Sequence, residues 1–466
     1  MTTRTLTRRR LLETGAVATG AVLLGSTRAT AAPPVKHVFS LIGEFSRYGA
    51  YLASMVDGSL PIDLAVSTFP DFSNRRLVGE QSPAADSIYR HDLAGMLTPG
   101  TQYYARLVAR GTMFGRVIAF RTQVADASPM HLRIALVSCQ RNAYNTDRLP
   151  LGWNRIKVFG PDLLLHGGDF GYWGGLLSAI DPYTTHIAKY ARQLTGVHAM
   201  RDVLEAVCSL IQVSDHELSP NGGDTFNDPI TATALEAYFR LMPYRTFDDV
   251  TQRSRFLTRR LGTNVRLVAP DFRSLDRSPG AWVDHASKTA WGAVQFALFR
   301  AAMKQPEALK IILSDPGASP ANTPADPSDP RLIDKWCNYQ SAYQAFSDVI
   351  RNELTVNGKP IRADVWSGDR HVIGCLGEAN NPWGPFDVLT SSGIDEEANA
   401  LEDGELYDQV YGYKTGRGIN VVKQHMEIDL FDDKVGTITR TASGIDDITG
   451  RVVVTSKKRW SYKVAA

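Results

Sequence analysis

An α/β domain preceded by a small all-β module is the fold class that this sequence of 466 residues predicts. Three observations predict it. Between residues 35 and 125, short apolar runs alternate with clusters of Gly, Pro, Ser and Asp, the grammar of a β-sandwich. From His131 onward, apolar runs alternate instead with stretches of helical period, as in βαβ units. From Gly418 to Lys463 the pattern returns to β, which predicts strands that complete a sheet. With 43% apolar and 21% charged residues, the chain has a globular composition with room for two or three cores.

The first thirty residues stand apart. Thr7-Arg8-Arg9-Arg10-Leu11-Leu12-Glu13 precedes a weakly apolar run, Gly15 to Gly25, followed by Arg28 and the small residues Ala29-Thr30-Ala31. A charged region, an apolar region and an A-x-A site make a removable leader, and the arginines before two leucines resemble a twin-arginine export signal. The apolar run is shorter than the ~20 residues a bilayer span needs. Residues 1–31 are therefore expected to be cleaved after Ala31, leaving no stable membrane span and a secreted, periplasmic or cell-wall-associated protein. The twin-arginine export machinery, the partner this leader implies, moves proteins already folded, often around a cofactor, which points to a metal or other prosthetic group.

Removing that leader takes away five arginines and one glutamate, so the net charge of +2 becomes about −2. A near-neutral chain without basic clusters has no footprint for nucleic acid or anionic lipid. Four cysteines, Cys139, Cys208, Cys337 and Cys375, are too few for a disulfide scaffold, and without a C-x-x-C pair they exclude a zinc ribbon.

The β module is assigned to residues 33–125. Its most specific piece is LTPGTQYYARLVA, Leu97 to Ala109, followed by GRVIAFRTQ. A Pro-Gly turn leading into a strand with a corner tyrosine, Tyr103, resembles the end of a fibronectin type III-like domain. Such a module is read as structural, because no site is visible on it. The linker Ala125 to Pro129 then opens the second domain, 130–466.

In that domain LRIALVSCQ, PDLLLHGGD, a helical region 176–208, SLIQVSDHE, the helix TALEAYFRLM, NVRLVAPDF, the helix TAWGAVQFALFRAAMKQ, LKIILSD and ADVWSGDRH follow one another. Four of its strands end in residues able to bind metal: Cys139, Asp169, the pair Asp215 and His216, and the pair Asp369 and His371. One Asp at a strand end is ordinarily a turn former or a cap. Four such ends are harder to explain singly, because neighbouring strands of an α/β sheet deliver their ends to one crevice. Carboxylate, imidazole and thiolate together suit a two-metal hydrolytic centre better than an all-oxygen magnesium site or an all-sulfur zinc site. Gly167 and Gly168 let the strand end turn sharply next to such a site.

In order along the chain, SCQ, GGDFGY, SDHE and SGDRH resemble the alkaline phosphatase D family, a branch of the calcineurin-like metallophosphoesterases related to purple acid phosphatases. The resemblance continues through MRDVLEAVCSLIQVSDHE, TALEAYFRLMPYR, VAPDFRSLDR and QFALFRAAM. It implies a four-layer α/β/β/α metallophosphoesterase sandwich and an exported enzyme hydrolysing phosphate monoesters, diesters or both with a two-metal centre and a metal-bound hydroxide. It further implies Cys139 as a thiolate ligand, Asp169 as the carboxylate bridging two metals, and Tyr172 as the phenolate on ferric iron. Asp215, Asn221, Asp369 and His371 complete the implied ligands, with calcium or another divalent ion at the second site and His216 near the phosphate. SDHE lacks the Trp-Asp that ordinarily precedes Asp-His-Glu, GDFGYW lacks a glutamate after the tyrosine, and Arg370 stands between Asp369 and His371 in place of a small or apolar residue. These departures bear on substrate choice. A phosphodiesterase or phospholipase D-like specificity and a non-catalytic exported metal-binding protein are the alternatives.

The chemistry accounts for the residue types. Hydrolysis of a phosphate ester needs a nucleophile at neutral pH and neutralisation of the phosphoryl oxygens, and two metals ~3.5–4 Å apart supply both. Arg273 and Arg370 are candidate phosphate contacts, since guanidinium forks match phosphate oxygens; the alternative is an ion pair with Asp271 or Asp364. His166 is read as packed beside the site, and His37, His91, His186, His198, His285 and His425 as ordinary surface or core residues. Cys208 and Cys375 are read as buried small hydrophobes, and the acidic stretch Asp395 to Asp403 as a solvated loop.

Overall fold

The computed structural model describes residues 35–82, 86–140, 150–172, 182–218, 229–245, 256–273, 286–317, 336, 339–353, 355–356, 359–360, 362–394, 396–397, 406–413 and 421–462. The leader 1–31, Asn221, His285, Cys337 and most of the acidic stretch 395–403 lie outside the described residues.

The first seven strands are β1 (Lys36–Gly43), β2 (Tyr51–Asp57), β3 (Ile62–Ser67), β4 (Arg76–Gln81), β5 (Ile88–Asp92), β6 (Gln102–Ala109) and β7 (Thr112–Arg121). They form a three-stranded sheet, β1-β2-β5, and a four-stranded sheet, β4-β3-β6-β7, both antiparallel. Alternate residues of both, among them Leu41, Val56, Leu64, Val66, Tyr103, Ala105 and Phe120, fill a shared core. The Tyr103 hydroxyl accepts a hydrogen bond from the Thr98 backbone N–H at 2.8 Å, tying the strand to the turn before it. This pairing order and the tyrosine's backbone tie support the fibronectin type III-like assignment, which we retain as a proposal.

The module does not hang free. β1 is buried along nearly its whole length. An added Cβ at Gly43 would lie 2.3 Å from the Pro243 carbonyl oxygen, so glycine is what lets the two parts touch. Arg90 donates to the carbonyls of Phe239, Arg240 and Tyr244, and Glu205 accepts from the Ser40 N–H at 3.2 Å. One apolar core runs through both parts.

The second domain opens with β8 (Met130–Val137), α1 (Leu151–Phe159), β9 (Leu163–His166), α2 (Pro182–Gly196), α3 (His198–Leu204), β10 (Cys208–Ile211), α4 (Asp215–Leu218) and α5 (Pro229–Leu241). The helical region expected over 176–208 is thus two helices meeting at Val197 within the described residues, and Cys208 already belongs to a strand. Next come β11 (Leu257–Leu261), β12 (Val265–Ala269), α6 (Gly292–Met303), β13 (Leu309–Ser314), α7 (Gln340–Glu353) and a small ribbon of β14 (Thr355–Val356) with β15 (Lys359–Pro360). β16 (Arg362–Ser367), β17 (Ile373–Leu376), β18 (Phe386–Ser391), β19 (Glu396–Glu397), β20 (Gln409–Tyr411) and β21 (Val421–Val422) precede the closing hairpins. The last three strands are β22 (Gln424–Asp432), β23 (Thr437–Asp446) and β24 (Arg451–Ser461).

Two large sheets result among the described residues, one with the order β10-β9-β8-β22-β23-β24 and one with the order β11-β12-β13-β16-β18-β17-β20, while β19 pairs with β21 in a ribbon of its own. In the first, β8, β9 and β10 are parallel, and β22 closes antiparallel against β8 with Met426 opposite Leu136 and Asp432 opposite Met130. The C-terminal β pattern thus completes a sheet, as the sequence predicts. In the second, β12, β13, β16 and β18 are parallel. Leu267, Ile311, Leu313, Trp366 and Leu389 face Ile134, Leu136, Leu165 and Ile428 between the sheets. Val268, Ile312, Val365 and Val388 point the other way, under Phe299, Met303, Tyr343 and Phe346 of α6 and α7. Strands covered on both faces have no polar side, which is why LKIILS is buried at every position. With Trp153, Ile156, Tyr190 and Leu194 of α1 and α2 packed into the first sheet's core, the layers are α/β/β/α.

Candidate metal centre

Seven parallel strands from the two sheets end at one seam. β8 leads into Ser138 and Cys139, β9 into Gly167 to Asp169, and β10 into Ser214 and Asp215. From the other sheet, β12 leads into Asp271 to Arg273, β13 into Asp315, β16 into Gly368 to His371, and β18 into Ser392. Glycines let the sheets approach. A Cβ at Gly368 would lie 2.6 Å from the Gly167 carbonyl oxygen, and one at Gly168 would lie 2.5 Å from Oδ1 of Asp315.

Cys139, Asp169, Asp369 and His371 all have left-handed backbone, with φ of 59°, 57°, 66° and 52°. Such values are uncommon outside glycine and accumulate where a structure holds side chains against local preference. Here they turn four donors off the strand direction and into the seam.

Two trios of side chains bring one donor atom each to within 4.8 Å of one another: Cys139, Asp169 and His371, and Asp169, Asp215 and His216. Asp169 belongs to both. Its Oδ2 accepts from the Cys139 Sγ at 3.4 Å and from the Tyr172 hydroxyl at 3.1 Å, while its buried Oδ1 has no hydrogen-bond partner. The Tyr172 hydroxyl also lies 2.9 Å from Nε2 of His371, and its ring sits 4.1 Å, centroid to centroid, from that of His216. Tyr172 therefore touches both trios. Asp369 falls in neither, although its backbone N–H is held by Ser138 Oγ at 3.3 Å and its charge acts on Asp169 and His216.

Negative charge is in excess. Burial, then Asp215, raises the Asp169 carboxyl to about 7 against the opposing His216. Burial, then Asp169 and Asp369, pushes the Cys139 thiol well up, and burial does the same to Asp315 despite Arg273. For His216, burial works to lower the imidazole, but Asp215, Asp169 and Asp369 together prevail and raise it. Buried carboxylates with an unpartnered oxygen and a mixed N, O and S donor set fit a cation at the place where they converge. The floor is acidic and closed, whereas Tyr172, His216 and His371 are only half-buried and form the open side.

Arg273 differs from its expected role. It is wholly buried, with Nε 2.9 Å from Asp315 Oδ2 and Nη2 3.2 Å from Ser214 Oγ and 3.4 Å from Asp215 Oδ1. Its ion-pair partners are thus Asp315 and Asp215, not Asp364, whose carboxylate binds Arg440 at 2.8 Å; Asp271 instead accepts the backbone N–H of Arg273. A guanidinium shared by two carboxylates orients them and has little reach left for a phosphate. Arg370 is buried as well, its stem packed where a Cβ at Gly317 would fall.

No known family profile matches the sequence, and no curated protein matches it. Among solved structures, one described as the structure of PhoD superposes with a TM-score of 0.70 over 91% of this chain and 90% of that one, at 13% identity. The fold is that of the PhoD-like metallophosphoesterases. Purple acid phosphatase PPD1 from seeds of yellow lupin (Lupinus luteus) superposes with a TM-score of 0.59 over 91% of this chain and 74% of that one, at 9% identity.

Within this PhoD-like fold, three further residues of the seam stand outside the motifs' expected ligands. Asp315 ends β13 in LKIILSD, and its position one residue past a fully buried strand was a usable signal. Glu217 lies in SDHE but points inward, accepting from the backbone N–H of Ser214 at 2.7 Å, Gly171 at 3.1 Å and Asp169 at 3.3 Å. It fixes the GGDFGY loop onto α4. Ser392 is an unremarkable serine in sequence and gives no signal. His425, read as an ordinary residue, forms a buried pair with Asp447 at 2.8 Å that raises its imidazole to about 9 against burial.

Proposed function

We propose that this chain is a metal-dependent phosphoesterase that is exported after folding and acts on phosphate monoesters, diesters or both. The observation that carries the reading is the pair of donor trios sharing Asp169 at a seam where seven strands end. The PhoD-like fold supports the same reaction class.

Cys139, Asp169, His371 and Tyr172 would hold one metal, for which ferric iron suits phenolate and thiolate donors. Asp169 and Asp215 would hold a second, for which calcium or another divalent ion is proposed, with His216 beside it. Asp369 and Asn221 are retained as proposed ligands. Bound there, metals lower the pKa of water and neutralise phosphoryl oxygens. The chain's own residues do the rest. Asp169 fixes the spacing of the two trios, and Glu217 holds its loop in place. Arg273 and Asp315 orient Asp215. His216, on the open side, donates a hydrogen bond to a phosphoryl oxygen or a proton to the leaving oxygen. The proposed twin-arginine leader, 1–31, would deliver the protein outside the cytoplasm. No helix among the described residues is long and apolar enough to cross a membrane.

Nitrophenol release from a nitrophenyl monoester and from the bis-ester, measured on protein whose metal content is known, tests the reading. Turnover of either substrate supports it and sets the specificity. Inactivity on both with metal bound overturns it.

A further inference from the structure

Ser392 follows β18 and is fully buried. Its backbone N–H donates to the Val372 carbonyl at 3.1 Å, and its own carbonyl accepts from Nε2 of Gln424 at 2.8 Å, so the main chain is fixed on both sides. Its hydroxyl lies 3.0 Å from Cys139 Sγ and 2.9 Å from the His371 backbone nitrogen. The amide can only donate, so Ser392 accepts there, and the single hydroxyl hydrogen is left for the sulfur. Ser138 also reaches the sulfur, at 3.3 Å, but its one hydrogen has a second acceptor in the Ser391 carbonyl at 3.2 Å.

Cys139 and His371 arrive from different sheets, and both have left-handed backbone. Ser392 is the link between them: it donates to the side chain of one and holds the backbone of the other. We propose that Ser392 is a positioning residue that locks Cys139 and His371 into one metal-binding unit and tunes the sulfur as a donor. This rests on the reading of Cys139, Asp169 and His371 as a metal site. A hydroxyl donating to a thiolate lowers the energy of the sulfur lone pair, which sets the charge-transfer energy, while the affinity comes from holding Cys139 and His371 together in the orientation the metal needs. Partners that orient metal ligands in this way are typically worth about 10–100-fold in metal affinity.

The test loads the full chain with cobalt(II) and records the thiolate-to-cobalt charge-transfer band together with affinity by chelator competition. Ser392→Ala is expected to move the band to lower energy and weaken cobalt binding about 10–100-fold, with Ser392→Thr returning the band toward its original position. Ser392→Cys, which keeps the volume and offers a weaker donor, should give a smaller shift in the same direction and serves if the alanine variant does not fold. Unchanged band energy and affinity in these variants would overturn the proposal. A wild-type protein that binds cobalt without any thiolate band, or does not bind it, would instead overturn the metal reading beneath it.

Discussion

The guanidinium of Arg273 meets the carboxylate of Asp315 at 2.9 Å, with neither side chain more than 1% exposed. Removing Asp315 leaves Arg273 with Asp215 as its carboxylate partner but strips the buried Nε of its acceptor, and an unmatched buried donor costs about 1–3 kcal/mol. Asp315→Ala is therefore expected to lower the unfolding free energy by that order in urea titrations at pH 7. The same variant should also lower affinity for the divalent metal, because Arg273 then turns fully onto Asp215. An unaltered urea midpoint would contradict the pairing.

Gly168 has a φ of +91°, and a Cβ there would meet Asp315 Oδ1 at 2.5 Å and Ser214 Cβ at 2.6 Å. Gly168→Ala should destabilise by about 1–3 kcal/mol through overpacking, with added backbone strain. Metal content per chain should fall in parallel, as read by elemental analysis of the purified variant.

Tyr172 reaches Asp169 and His371 through one hydroxyl. Iron-loaded protein is expected to show a visible tyrosinate-to-iron band that Tyr172→Phe abolishes. Asp169→Asn should cost both metals and hydrolysis, because Asp169 is common to the two trios.

Acid should unfold the protein in part through histidines far from the site. Burial lowers His91 to about 4, and burial, then Arg201, lowers His37 to about 4. An unfolded imidazole titrates near 6.5, so between these values the unfolded chain binds more protons and stability rises with pH. The contribution is present above about pH 6.5 and is lost as pH falls toward 4, on the order of 3 kcal/mol for a shift of this size. His91→Leu should flatten the slope of unfolding free energy against pH in that window.

Ligand linkage gives a fifth test. Free metal at 100 times its Kd should raise unfolding free energy by about 2.7 kcal/mol, and a chelator should remove that gain. A melting temperature indifferent to both would count against metal at the seam.

Much of this was legible because strands covered on both faces read as apolar runs, and the polar residue that ends such a run stands out. Cys139, Asp169, Asp215 and His371 were found that way, and the structure brings them together. Asp315 obeys the same rule, one residue past the fully buried β13. The ion pairs of Arg273 are hidden from the sequence because its partners lie 42 and 58 residues away, Asp315 after the neighbouring strand of its own sheet and Asp215 after a strand of the other. Ser392 acts through a hydroxyl that any loop serine has. What sets it apart is its place against Cys139 and His371, which exists only once both sheets are assembled.

The pairing of β8 with β22 governs when the first sheet can close. β8 sits inside its sheet, between β9 and a strand that begins only at Gln424. A chain synthesised from its N-terminus thus carries Cys139 and Asp169 beside an open strand edge until nearly all of it has left the ribosome. Closure of the first sheet is then a late event of biosynthesis, completed once β22 is available. A stalled or truncated chain would display β8 as an unpaired apolar edge, a template for aggregation.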